Sequence, residues 1–296
     1  MKKSNTFIVV FIIIAIPAIF IVALITTRKH VNQVNTDEGE SYLYALEQRG
    51  EKSTLEPAID NPDNIISDST EKNDKYVVPN KPEDVDFNGF YGSNQEDYIP
   101  YYFDVDEAKK TADKVENGKL SAKQVFKDTV FIGDSVVTGF DVYKLANTKN
   151  VIASVGAFLE NHFNESIDTA IDFEPDNIVI RYGLNEMDHN KESRDAFLRR
   201  YRDGINRLKK ALPSARIVVM GISPINIEAA DNDRFSESSD YNKCLRKMCV
   251  DLGVGYCEDS DMFINNKEFY SKDGVHFHPE LYNKLVYRLI SEMGIY

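Results

Sequence analysis

Hydrophobic residues are unevenly spread along this chain, and their first concentration is an unbroken run. From Phe7 to Ile25 every residue is apolar, with Pro17 the one helix-bending position. The run's 19 residues are close to the roughly 20 that a helix needs to cross a bilayer core. Lys2 and Lys3 precede it, and Arg28, Lys29 and His30 follow it. The pattern predicts a transmembrane anchor within residues 1–30. A cleaved signal peptide would have a shorter apolar core and a small-x-small site after it. Here Thr26-Thr27-Arg28-Lys29 follows instead, and no cysteine stands nearby to carry a lipid. The expectation is an uncleaved, single-pass anchor. Basic residues flank both ends, so the positive-inside count barely discriminates, but only a handful of residues precede the span. The C-terminal bulk is therefore expected outside the cytoplasm.

Past the span the apolar positions thin out. Residues 31–75 carry 11 Asp or Glu against 4 Lys or Arg and few large apolar groups. Such a stretch cannot bury enough surface to offset chain entropy, so a disordered acidic tether is expected. As a coil, about 45 residues would span very roughly 40 Å root-mean-square. From Tyr76 to Phe103 prolines (Pro79, Pro82, Pro100) alternate with aromatics that include Phe87, Phe90, Tyr91, Tyr98, Tyr101, Tyr102 and Phe103. No repeat spacing organises these rings. They read as an extended arm packed on the following domain, in preference to a sugar-stacking surface.

From Asp104 the pattern changes to alternating elements, which marks 104–296 as the folded domain and 31–103 as linker and arm. Val105–Glu116 and Ser121–Lys127 read as helical. The short apolar run that follows Asp128 and breaks at Gly133 reads as a strand, as do Val151–Val155, Asn177–Tyr182, Arg216–Gly221 and Gly253–Tyr256. The clearest helix is Ser193–Leu212, with Phe197, Leu198, Tyr201, Ile205, Leu208 and Leu212 on one face. Tyr241–Leu252 and Pro279–Met293 are two more, the latter opened by a proline suited to a first turn. Continuously apolar strands, each followed by a helix, predict a parallel sheet covered on both faces. About 190 residues can bury a sound core for one such α/β domain.

Charge and cysteine content narrow the function. The formal net charge is −13, the opposite of what phosphate binding needs, so nucleic acid is not an expected partner. Cys244, Cys249 and Cys257 are odd in number and close together. They allow at most one bridge and read as small buried apolar residues rather than a disulfide framework.

In a parallel α/β sheet, ligands bind beyond the carboxyl ends of the strands. The first strand runs into Gly133-Asp134-Ser135, a serine at a helix start, where free N–H groups and the positive helix end favour developing negative charge. The second ends at Ser154-Val155-Gly156, where a glycine lets a backbone N–H approach a ligand closely. The third runs into Tyr182-Gly183-Leu184-Asn185-Glu186. Before the last helix lies Asp273-Gly-Val-His276-Phe-His278-Pro279. An Asp three residues before a His can place its carboxylate on the ring's Nδ1 and leave Nε2 for a serine proton.

These four blocks, in this order, resemble those of the SGNH (GDSL-like) hydrolase family over roughly residues 125–296. The resemblance implies a three-layer α/β/α sandwich with a mainly parallel, five-stranded, flavodoxin-like sheet. It implies Ser135 as nucleophile, with the Ser135 and Gly156 N–H groups and the Asn185 amide as oxyanion donors. It implies Asp273 and His276 as acid and base. Glu186 stands where the family usually has Asp. No Gly-x-Ser-x-Gly elbow occurs, which argues against the α/β-hydrolase fold.

Each residue also has a plainer reading. Ser135 could only cap a helix, Asn185 could be a turn residue, and Gly156 could serve strand–helix packing. Asp273 could be a turn residue and His276 ordinary, and His278 competes with His276 as base. Asp134 is expected to hold the loop, and Arg181, Asp188 and His189 are expected to be structural or solvated. A metal site at Asp273, His276 and His278 lacks a third cluster, since His30, His162 and His189 are scattered, so no metal or cofactor is expected. The leading expectation is a membrane-tethered serine esterase removing small acyl groups, O-acetyl foremost, from envelope or extracellular polysaccharide. Acyl transfer to a glycan hydroxyl and a non-catalytic envelope-binding protein are the alternatives.

Overall fold

Thr129–Gly133 (β1), Val151–Ala153 (β2), Asn177–Arg181 (β3), Arg216–Met220 (β4) and Gly255–Cys257 (β5) form one sheet. All neighbours are parallel, in the spatial order β2-β1-β3-β4-β5. The computed structural model describes residues 97–187, 191–225, 238–264 and 267–296. The expected span at Phe7–Ile25, the tether 31–75, the arm up to residue 96, and Asp188 and His189 lie outside the described residues. No helix among the described residues is long and apolar enough to cross a membrane.

The central strands are short and apolar because both of their faces are covered. Every residue of β1 and β3 is buried, as is β4 apart from Arg216. Val105–Glu116 (α1), Ser135–Val142 (α3) and Pro279–Ser291 (α8) pack together on one face. Between α1 and β1 lie the short helix Ala122–Val125 (α2) and the single 3-10 turn Phe126–Asp128. Asn164–Phe173 (α4), Lys191–Ala211 (α5) and Ser238–Leu252 (α6) cover the other face. The three-layer α/β/α arrangement expected from the pattern is thus present. A short helix, Ser260–Ile264 (α7), follows β5.

Each face has its own aromatic core. Phe131 stacks on Phe140 at 4.4 Å, and Tyr282 of α8 meets Phe140 edge-on at 5.7 Å. Opposite, Phe163, Tyr182, Tyr201, Phe197 and Tyr241 form a continuous chain of tilted rings. Edge-on and offset contacts of this kind add about 0.5–1.5 kcal/mol each beyond burial.

Topology decides where the site falls. The chain leaves β1 toward β2 on one side, then crosses back past β1 to β3, so the intervening helices lie on opposite faces. The carboxyl ends of β1, β2 and β3 therefore frame the switch-point crevice in which α/β proteins bind ligands.

Most elements end within one to three residues of the sequence expectation, and three of the differences bear on the site or the extent of the domain. β2 stops at Ala153 rather than Val155: the Ser154 N–H still makes a last ladder bond to the Gly133 carbonyl (3.3 Å), and the chain then turns at Gly156 with a φ of 69°. β5 begins at Gly255 rather than Gly253, whose φ of 64° ends α6 instead. The folded region also begins before Asp104. Asp97, Ile99 and Tyr101 are buried, Tyr98 pairs antiparallel with Tyr256 of β5, and the Tyr101 hydroxyl donates to the Met293 carbonyl at 2.8 Å. The end of the aromatic arm is thus part of the domain, seven residues beyond the expected boundary.

Candidate active site

β1 ends at Gly133, pressed between β2 and β3 opposite Ala153 and Arg181. A Cβ there would lie 2.3 Å from both the Arg181 carbonyl oxygen and Val137 Cγ2, so the close strand-to-helix turn demands glycine. Asp134, in extended conformation, caps α3 by accepting the Val136 N–H at 3.0 Å. Burial pushes the Asp134 carboxyl up to about 6, against the opposing pull of Arg181 and the Val136 N–H. Because Asp134 does the capping, Ser135 is the first helical residue and its hydroxyl points elsewhere. The Tyr282 hydroxyl holds the Val136 carbonyl at 2.7 Å and fixes this turn against α8.

The hydroxyl points at His276. Ser135 Oγ lies 2.9 Å from His276 Nε2, and His276 Nδ1 lies 2.7 Å from Asp273 Oδ2. His276 rides on a small hairpin closed by the Tyr270–Phe277 bridge, in which the Ser271 N–H donates to the His276 carbonyl at 2.8 Å. The Tyr143 hydroxyl, just beyond α3, holds the Phe277 carbonyl at 3.0 Å. Asp273 Oδ1 accepts the N–H groups of Val275 (2.9 Å) and His276 (3.0 Å), which orients Oδ2 toward the ring. Burial works to raise the Asp273 carboxyl, but the hydrogen bond and charge of His276 and these two N–H groups outweigh it. The result is about 2. An ionised Asp273 keeps the proton of His276 on Nδ1 and leaves Nε2 to accept the Ser135 proton.

The two remaining blocks meet beside this triad. Asn185 Nδ2 donates to the Ala157 carbonyl at 3.0 Å, next to Gly156. That bond uses one of the amide's two N–H groups, and the other is available to a ligand. Gly156, with its left-handed φ of 69°, makes the turn of the loop that carries Ala157. Sequence thus named four segments far apart in the chain, and the fold gathers them at the carboxyl ends of β1, β2 and β3.

The family model for the GDSL-like lipase/acylhydrolase family matches residues 131–284, just over half of the chain. The chain belongs to this family. It is an ester-hydrolysing serine hydrolase. No curated protein matches it. Solved structures similar to it include the lipase/acylhydrolase of Enterococcus faecalis, 15% identical with a TM-score of 0.45 over 55% of this chain and 94% of that one. Axe2, an acetylxylan esterase of Geobacillus stearothermophilus, is 17% identical with a TM-score of 0.43, over 57% and 94% of the two chains. A peptidoglycan O-acetylesterase is 18% identical with a TM-score of 0.39, over 47% and 45%.

Other residues of this acylhydrolase divide cleanly. Arg181 is structural: it is 2% exposed, pairs with Asp259 Oδ2 at 2.9 Å and donates to Ser223 Oγ. His276, not His278, faces Ser135. Cys249 and Cys257 are buried, Cys244 is half-buried, and all three are free thiols. Sequence reasoning overlooked His162. Its Nε2 lies 3.2 Å from Ser154 Oγ, and its Nδ1 lies 2.9 Å from the Tyr182 hydroxyl and 3.0 Å from Ser166 Oγ. This cluster pins the start of the Gly156 loop, and burial lowers the pKa of its imidazole. A polar residue between Leu159 and Phe163 gives no local sign of that contact.

Proposed function

We propose that Ser135 is the nucleophile of an acyl-enzyme mechanism acting on small acyl esters, O-acetyl foremost, of envelope or extracellular polysaccharide. The observation that carries this reading is the relay Asp273 Oδ2–His276–Ser135 Oγ, with links of 2.7 and 2.9 Å. His276 takes the Ser135 proton as Oγ attacks the ester carbonyl, then gives it to the departing sugar oxygen. The N–H groups of Ser135 and Gly156 and the Asn185 amide stabilise the tetrahedral oxyanion. Water then attacks the acyl-enzyme, with His276 again as base, and releases the acid. Ser135 is only 4% exposed, which favours a short acyl chain over a long one. The apolar run Phe7–Ile25 and the acidic stretch after it support a tether holding this domain outside the cytoplasm.

The test is acetate release by the full chain from an O-acetylated polysaccharide, with acetyl transfer to an added glycan measured in parallel. Release should be abolished by Ser135→Ala, as should covalent labelling by a fluorophosphonate. A wild-type chain that neither releases nor transfers acetyl groups, and a Ser135→Ala variant that still labels, would sink the reading.

A further inference from the structure

The turn after β3 carries two adjacent polar side chains, and both reach the loop that follows β2. Asn185 takes the Ala157 carbonyl, as described. Glu186 Oε1 accepts the Leu159 N–H at 2.6 Å. The same loop is tied at its start, where the Ser154 N–H donates to the Gly133 carbonyl at 3.3 Å. Gly156 therefore sits on a short bridge fixed at one end to the nucleophile's strand and at the other to Glu186. The second Glu186 oxygen is buried without a hydrogen-bond partner among the described residues. Burial pushes the carboxyl up to about 8, outweighing the Leu159 N–H, and the Asp134 charge pushes the same way. Burial thus favours the protonated acid over the carboxylate.

We propose that Glu186 is a positioning residue for the oxyanion site, holding the Gly156 loop at a set distance from Asn185 through the Leu159 N–H. The inference deepens the esterase reading and rests on it for the role of Gly156. The side-chain length is the observation that gives it content. An aspartate at this place would be shorter by one carbon–carbon bond, about 1.5 Å. From the same backbone it cannot make the 2.6 Å contact, and the loop would relax away from Asn185.

The test compares Glu186→Asp and Glu186→Gln in the full chain, using p-nitrophenyl acetate and amide hydrogen exchange at Leu159. Glu186→Asp is expected to lower kcat at least fivefold with KM within twofold, because the oxyanion donors act chiefly in the transition state. Glu186→Gln keeps an acceptor at full reach and is expected to restore more than half of the wild-type kcat. Leu159 exchange should quicken in the Asp variant alone. A smaller loss in Glu186→Asp, or an equal loss in both variants, overturns the proposal and leaves a packing role. If the wild-type chain turns over no ester, the esterase reading fails, while unchanged Leu159 exchange in Glu186→Asp separately refutes the clamp.

Discussion

Replacing Asp273 with Asn separates what that carboxylate does for the fold from what it does for the reaction. Asn keeps the size of Asp, yet its amide cannot satisfy both sets of partners. If its oxygen accepts the Val275 and His276 N–H groups, which now bond Oδ1 at 2.9 and 3.0 Å, its NH2 faces His276 Nδ1. The ring must then carry its proton on Nε2, toward Ser135, and cannot act as base. Loss of the correct tautomer in a Ser-His-Asp site costs about ten-thousandfold in kcat, or about 5.5 kcal/mol. The stability cost is smaller. The fall of the carboxyl from 3.8 to about 2 corresponds to about 2.5 kcal/mol at most. Since the side chain is 29% exposed, solvent screening reduces this to about 1 kcal/mol. The sign follows from the direction of the shift. A carboxyl with a depressed folded pKa stabilises the protein above pH 3.8, and that stability is lost as pH falls through about 2. The variant should therefore melt slightly below the wild type at pH 7 and converge with it near pH 2. Turnover of p-nitrophenyl acetate with a parallel thermal melt checks both halves. A folded Asp273→Asn protein with kcat within tenfold of wild type would refute the assignment of Asp273 as the orienting acid.

Three further outcomes follow from other contacts. Gly133→Ala forces a Cβ to within 2.3 Å of the Arg181 carbonyl; it should cost about 1–3 kcal/mol in a denaturant melt and lower kcat, since Ser135 is two residues away. Arg181→Met leaves Asp259 buried without its ion pair and should cost about 3–5 kcal/mol near neutral pH. Burial already raises Asp259 to about 6, so its contribution is full below pH 3.8 and lost as pH rises. The penalty should accordingly be smaller at pH 5 than at pH 8, as urea melts at the two values would show. Tyr282→Phe removes the 2.7 Å bond to the Val136 carbonyl and should destabilise by about 1–3 kcal/mol, measured by thermal unfolding.

Much of the domain could be read from the sequence because its strongest signals are local. β1, β3 and β4 are continuously apolar, and α5 shows Phe197, Tyr201, Ile205 and Leu208 at three-to-four spacing. Ser135, Asp273 and His276 stood out as candidates because each lies in a short polar turn at or just before a helix start. What stayed hidden depends on distant partners. Asp97 is buried because its carboxylate accepts the Glu258 N–H at 2.6 Å, 161 residues away. With Pro100 nearby, that stretch reads as loop. α4 offers only Ile167, Ala170 and Ile171 with Phe173 toward the core, too few for a clear stripe, and the π-helical turn Leu159–Phe163 shifts its phase. Glu186 looked like a departure from the family pattern, and nothing in its neighbours announced a bond to Leu159.

The pair that closes the relay, Ser135 and His276, is 141 residues apart in the chain. Closure of this relay is consequently a readout of completed folding. A fragment ending before Asp273 would carry Ser135, Gly156 and Asn185, yet lack both Asp273 and His276. During synthesis the serine waits for the last hairpin and α8, whose Tyr282 and Leu285 complete the core beside α3. At 5–20 residues per second the 141 residues between Ser135 and His276 take roughly 7–28 s, and until then the relay is incomplete.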